Sequence, residues 1–169
     1  PLLQNYNDKF FMRLLHNLFD SREQFEIQAR DLKLDFSARC FLAAHGEMHS
    51  QKAGEMNPDQ QMKLYSSSLQ MIREILTKYA SCHVISLDKQ HFAAIFCLDR
   101  QEELNSGVMD DAWENTCHMV HNYFSVELAV GLGTPVEDPL KINESYQEAR
   151  QASAMADGKA PVISFAGIA

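Results

Sequence analysis

Two apolar periods alternate along this chain in an order that few folds satisfy. Segments whose apolar residues recur every three or four positions read as helices, and short alternating or continuous apolar runs read as strands. "NDKFFMRLLHNLF" places Phe10, Phe11, Leu14, Leu15, Leu18 and Phe19 on one helical face. After the break and cap at Asp20-Ser21, "REQFEIQARDLKL" is a second amphipathic helix with Phe25, Ala29 and Leu32 inward. "ARCFLAAHGEM", edged by Gly46, is a first strand, and Asn57-Pro58 opens a helix whose stripe runs through Met62, Tyr65, Leu69, Ile72, Leu76 and Tyr79. "CHVISLD" and "HFAAIFCLD" form a hairpin. A helix from about Gln101 to Phe124 follows, burying Met109, Ala112, Trp113, Thr116, Cys117, Val120 and Phe124. Val126, Leu128, Val130 and Leu132 alternate as a strand. Asp138-Pro139 starts a last helix that Gly158 stops, with Ile142, Tyr146, Ala149 and Ala152 inward, and "PVISFAGI" is a closing strand.

The order is two helices, then β-α-β-β-α-β, then α-β. Its centre is the ferredoxin-like split unit of the α+β class, an antiparallel sheet of about five strands with helices packed mainly on one face. The Met62 to Tyr79 stripe is most simply the core face of a crossover helix; its spacing also fits a short coiled-coil seam. With 169 residues, 46% of them hydrophobic, the chain has material for one core.

A net charge of −8 opposes a sequence-independent grip on nucleic acid phosphates. Apolar runs are short and broken by charge, and no basic segment precedes an apolar one at the start, so a soluble cytoplasmic protein is expected. Cys40, Cys82, Cys97 and Cys117 stand singly among apolar residues, as buried free thiols do. A start at proline and an apolar end suggest a piece of a longer chain.

Chemical motifs are sparse. Gly131-x-Gly133 lacks the third glycine of a dinucleotide fingerprint and any following Gly-Lys-Ser/Thr, so those glycines read as close-packing or strand-end residues. His45, Glu47 and His49 would share one side of an extended strand, where His91 could join them around zinc or nickel. The plainer reading, adopted here, makes Gly46 and the polar residues after it a solvated loop. Cys117 and His121 have a helical metal spacing, but Cys117 belongs to the buried stripe. No Gly-x-Ser-x-Gly elbow occurs.

The C-terminal signature "VELAVGLGTPVEDPLKINESYQEARQA" combines Gly131 and Gly133, a "P-V-x-D" turn, and "SY-x-EA-x-x-A" through Ser145, Tyr146, Glu148, Ala149 and Ala152. With the lead-in "FFMRLLHNLFDSREQFEIQARDLKLDF" it resembles the degenerate GGDEF-like domain of bacterial AraC-type response regulators and of sugar-diacid and purine-catabolism transcription regulators. The resemblance implies a nucleotide-cyclase palm-like sheet, with lead-in helices at 1–35 and the domain proper at 36–169. Active relatives make cyclic dinucleotides from GTP, using a Gly-Gly-Asp/Glu-Glu-Phe hairpin turn and a first-strand aspartate to hold divalent metal. Phe92 matches that phenylalanine, but Asp88, Lys89, Gln90 and His91 replace the glycines and acids, and the first strand offers Ala44, His45 and Glu47.

The resemblance therefore implies a domain that is not an enzyme and needs no cofactor. It would relay a signal by self-association between a receiver domain and helix-turn-helix domains of the same parent chain, in a two-component system, without touching DNA or membrane itself. The packing residues of its signature are Gly131, Gly133, Ser145, Tyr146, Glu148 and Ala149. Two alternatives stay open: a small-molecule or nucleotide sensor with His45, Glu47, Asp88 and His91 lining its cleft, and a divergent cyclase.

Overall fold

A computed structural model describes residues 2–99 and 107–168 of the chain. Among these residues the helices and strands run α1 (Leu2–Leu15), α2 (Arg22–Asp31), β1 (Cys40–His49), α3 (Pro58–Tyr79), β2 (Ser81–Ser86), β3 (His91–Leu98), α4 (Val108–Phe124), β4 (Glu127–Leu132), α5 (Ile142–Ser153) and β5 (Val162–Ser164).

Local chemistry sets the ends. The first helix stops at Leu15, earlier than its apolar pattern suggests. Asn17 takes a left-handed conformation (φ 56°), while its own N–H donates to the Leu14 carbonyl and that of Leu18 to Arg13. This is a Schellman stop at a residue type that tolerates positive φ. Leu18 is consequently 58% exposed, and Phe19 folds back to lie 5.2 Å from Phe10. Ser21 caps α2 by accepting from the Gln24 N–H, and Asn57 and Gln60 form a reciprocal capping box at the start of α3. Residues 101–106 of the expected fourth helix lie outside the described residues; the helix described starts at Val108. Asp138 caps one 3-10 turn that leads into α5, and α5 ends at Ser153 rather than near Gly158. The Asp157 carboxylate instead accepts the N–H groups of Lys159 and Ala160 and builds a turn there.

The strands lie in the order β2-β3-β1-β4-β5. Among the first four each strand is antiparallel to its neighbours, with β3 inserted between β1 and β2, as the ferredoxin-like split unit requires. Two expectations need correction. First, β5 pairs parallel to β4, so the sheet is mixed; α5 carries the chain back across the sheet, which reverses its direction before the last strand. Second, helices cover both faces. On one, α3 and α4 bury Leu69, Ile72, Leu76, Trp113 and Val120 against Leu42, Phe96 and Val130. On the other, α1, α2 and α5 bring Phe10, Phe11, Phe25, Ile142 and Tyr146 onto Phe41, Ala43, Ala93 and Ile95.

The α3 stripe is this core face: Tyr65, Leu69, Ile72 and Leu76 are buried, while Met62 and Tyr79 at its two ends are exposed. Cys40, Cys82 and Cys97 are buried and Cys117 is half-buried. The strand β1 does not break at Gly46 but continues to His49, which overturns the loop reading of residues 46–49. Gly46 pairs with Phe92 on the α3 and α4 side, and His45, Glu47 and His49 project from the other face. Helical cover fades along that row: His45 is half-buried, and Glu47 and His49 are exposed.

Candidate functional site

The β1–β3 register places Glu47 opposite His91 and His45 opposite Ala93, at the sheet end where the β2–β3 turn closes. That turn contains Asp88, Lys89 and Gln90 and no glycine. Asp88 builds it: one carboxylate oxygen accepts the N–H groups of Gln90 and His91, both at 2.9 Å.

The His91 ring is held at both nitrogens. Nδ1 lies 2.8 and 3.0 Å from the two Asp88 oxygens, and Nε2 lies 3.0 Å from Glu47 Oε2. Ionised carboxylates only accept hydrogen bonds, so a ring bonded to one at each nitrogen donates from both and is an imidazolium. Partial burial works against that charge, but the hydrogen bonds and charges of Asp88 and Glu47 outweigh it and raise the His91 pKa above 6.5. Burial likewise disfavours the Asp88 charge, and the Gln90 N–H and His91 overcome it, so the Asp88 pKa falls below 3.8.

His45 sits in the opposite condition. Its Nδ1 is 2.8 Å from Ser153 Oγ, and that hydroxyl already donates its one proton to the Arg150 carbonyl. His45 must therefore donate from Nδ1, which fixes its tautomer. Burial first, then the charges of His91 and Arg150, push its pKa down to about 4, so the ring is neutral at neutral pH. Its centroid lies 5.7 Å from that of His91 and 6.0 Å from that of Tyr146. One register thus gathers His45, Glu47, Asp88 and His91, and α5 adds Ser153 and Tyr146.

The remaining metal candidates disperse. His49, two residues beyond Glu47, pairs with Glu127 of β4 and with His121 and Ser50 lines a cavity of about 170 Å³. Burial raises the Cys117 thiol to about 11, too high for a ready thiolate ligand. Among the described residues no group of three or more His, Cys, Asp or Glu is placed to hold a metal ion.

The signature residues fasten α5 to the sheet. A Cβ on Gly131 would come within 2.1 Å of the Ala149 carbonyl oxygen, and one on Gly133 within 2.0 Å of that of Ser145. The helix backbone therefore rests directly on the strand end. Buried Ser145 accepts the Ala43 N–H at 2.9 Å, satisfying a strand amide. Glu148 accepts the N–H and the hydroxyl of Thr134 just past β4. Tyr146 is buried beside His45 and His16.

On the other side of the turn, a groove of about 470 Å³ runs between α3 and the hairpin, lined by Met48, Met62, Tyr65, Leu69, Arg73 and Lys89. Arg73 donates to Gln70 Oε1 and the Val84 carbonyl, and Lys89 to Gln61 Oε1.

With the turn, the interleaved strands and the α5 clasp in place, the comparison with known families is decisive: the model of the GGDEF-like domain matches residues 17–155. The chain belongs to the GGDEF-like domain family. No curated protein matches it. The GGDEF-like span begins in the turn after α1 and ends just past α5, so it takes in β1 to β4 and the helices between them. In this GGDEF-like domain the β2–β3 turn and the start of β3 read Asp88-Lys89-Gln90-His91-Phe92, with Phe92 fully buried. Ser153 and Arg150, the partners of His45, were not singled out from sequence. The available signal was their spacing: they follow Tyr146 by seven and four residues, on the same helix face.

Proposed function

We propose that this GGDEF-like domain is a non-catalytic regulatory module of a bacterial transcription regulator of the AraC-type response-regulator kind. It self-associates and so couples a receiver domain to helix-turn-helix domains elsewhere in the parent chain. The observation that carries the reading is the turn at residues 88–91. Phosphate approach needs bare backbone there, as a glycine-rich turn gives; here side chains fill the turn, and its imidazolium and carboxylates satisfy one another. The similarity of the lead-in helices and the α5 signature to those regulators supports the parent context, and the net charge of −8 fits a segment that leaves DNA to other domains. Among the described residues no helix is long and apolar enough to cross a membrane.

The test has two arms. Incubation with GTP and Mg²⁺ or Mn²⁺ should give no cyclic dinucleotide, and sedimentation equilibrium should show concentration-dependent dimers. Turnover that disappears in Asp88→Asn or Glu47→Gln would replace this reading with a divergent cyclase.

The groove beside α3 favours a second reading, a sensor of a small anionic metabolite. Its volume is in the range of ligand sites, and Arg73 and Lys89 face it without an acid at ion-pair distance among the described residues. A thermal-shift panel of anionic metabolites that includes guanine nucleotides would show a rise in Tm for a binder and none otherwise.

A further inference from the structure

We propose that His91 is a proton-operated latch: with both nitrogens protonated it ties Asp88 of the β2–β3 turn to Glu47 of β1, and on losing a proton it lets go of Glu47 beside the turn corner that borders the α3 groove. The geometry comes first. A neutral imidazole carries one N–H and one lone pair, so it can donate to only one of the two carboxylates that it now bridges. The Asp88 contact is local, three residues away and made to both oxygens; the Glu47 contact spans two strands through one oxygen at 3.0 Å. The Glu47 tie is therefore the one that opens, leaving a lone pair facing a carboxylate.

What opens is limited in extent. Gln90 keeps its own ties to β1, because its carbonyl accepts the Met48 N–H at 2.7 Å and its side-chain amide donates to the Met48 carbonyl. Those bonds carry no titrating group, so strand register persists through the change. The corner made by Asp88 and Lys89 keeps its ties as well, because Asp88 accepts the Gln90 and His91 N–H groups and donates its own N–H to the His91 carbonyl; the part set free is the Glu47 side chain. Asp88 and Lys89 line the groove, and Lys89 reaches across to Gln61 of α3. Proton loss at His91 thus removes a positive charge beside one groove wall and frees the Glu47 carboxylate.

The groups facing the latch are few. Asp88 and Lys89 approach from the turn, and Glu47 and His45 from β1; Arg150 and Tyr146 of α5 sit beyond, over His45. His45 stays neutral while His91 changes state, so the two rings do not compete for charge above mildly acidic pH. The raised His91 pKa puts the transition above the ordinary 6.5.

The test is long-range proton–nitrogen NMR of the histidine rings in the whole chain, titrated from mildly acidic to mildly alkaline pH, with the backbone amides followed alongside. Supporting results are a His91 ring protonated at both nitrogens below its midpoint, a midpoint above 6.5, and amide shifts at Lys89 and Gln90 with that same midpoint. Glu47→Gln, at an exposed position that leaves folding intact, should lower the midpoint by about half a unit, the equivalent of an exposed ion pair. A midpoint at or below 6.5, turn amides that ignore the His91 titration, or a midpoint unmoved in Glu47→Gln would each overturn the latch.

Discussion

The far end of the Phe92 ring lies against Gly46 on the neighbouring strand, so close that a Cβ at position 46 would sit 2.2 Å from the ring's Cζ. The ring cannot retreat, because it is fully buried and stacked on Trp113 with centroids 6.3 Å apart. Gly46→Ala should therefore cost about 1–3 kcal/mol or more, as an overpacked core does, although its backbone conformation suits any residue. Urea denaturation followed by Trp113 fluorescence would measure it, and an unchanged midpoint would show that the strand can move aside.

A different obstacle stands at Gly131. The atoms that a new Cβ would strike there are the backbone of α5, the Ala149 carbonyl oxygen at 2.1 Å and the Ser153 nitrogen at 2.2 Å, so no rotamer change relieves the clash. The helix would have to lift, loosening the Ser145 bond to Ala43 and the His45 bond to Ser153. Gly131→Ala is expected to cost at least as much as Gly46→Ala, about 3 kcal/mol or more. Gly54→Ala, where nothing lies within 4 Å, is the control and should change the urea midpoint little.

Much of this was legible in the sequence, because period and caps are local properties. Asn57-Pro58 marked the start of α3, the alternation from Val126 to Leu132 marked β4, and Ser21 marked the cap of α2. Cover on both sheet faces was written there too: "FLAA" and "FAAIFCL" are continuous apolar runs, the pattern of strands buried on both sides. The direction of β5 was not legible, since three residues carry no signal of their partner's polarity. At the site, His45, Glu47, Asp88 and His91 were nameable through the family resemblance. The strand character of residues 46–49 was hidden because a glycine inside a strand looks like its end until the Phe92 ring that occupies its space is known.

The lead-in helix α1 lies outside the span matched by the family, yet it supplies part of the core. Phe10 and Phe11 are buried, Phe10 within 6 Å of the rings of Phe19, Phe25 and Phe36. Phe10→Ala should cost about 3–5 kcal/mol. Circular dichroism and Trp113 fluorescence should still give one coincident transition, because α1 and the sheet share that core. A separate early transition would make α1 an appendage instead of a part of the domain.

Stability should pass through a maximum near pH 6.5, with His45 and His83, both held below the ordinary value by burial, shaping the acid limb and His91 the alkaline one. His45 has a folded pKa of about 4 against an ordinary 6.5, so below 6.5 the unfolded chain binds a proton that the folded chain refuses. Stability present above 6.5 is then lost as the pH falls toward 4, by about 1–2 kcal/mol once screening of a half-buried ring is allowed for. His91 has the reverse sign: its raised pKa contributes stability that is full below 6.5 and disappears as the pH rises through the folded value. The lowered carboxylates Asp88 and Asp138 act only at pH values below the His45 window. Urea midpoints measured across pH should therefore trace a dome. His45→Gln should shallow the acid limb alone, the remainder belonging to His83, and His91→Gln should flatten the alkaline limb alone; a dome with both limbs unchanged in either variant would assign the titration to other groups.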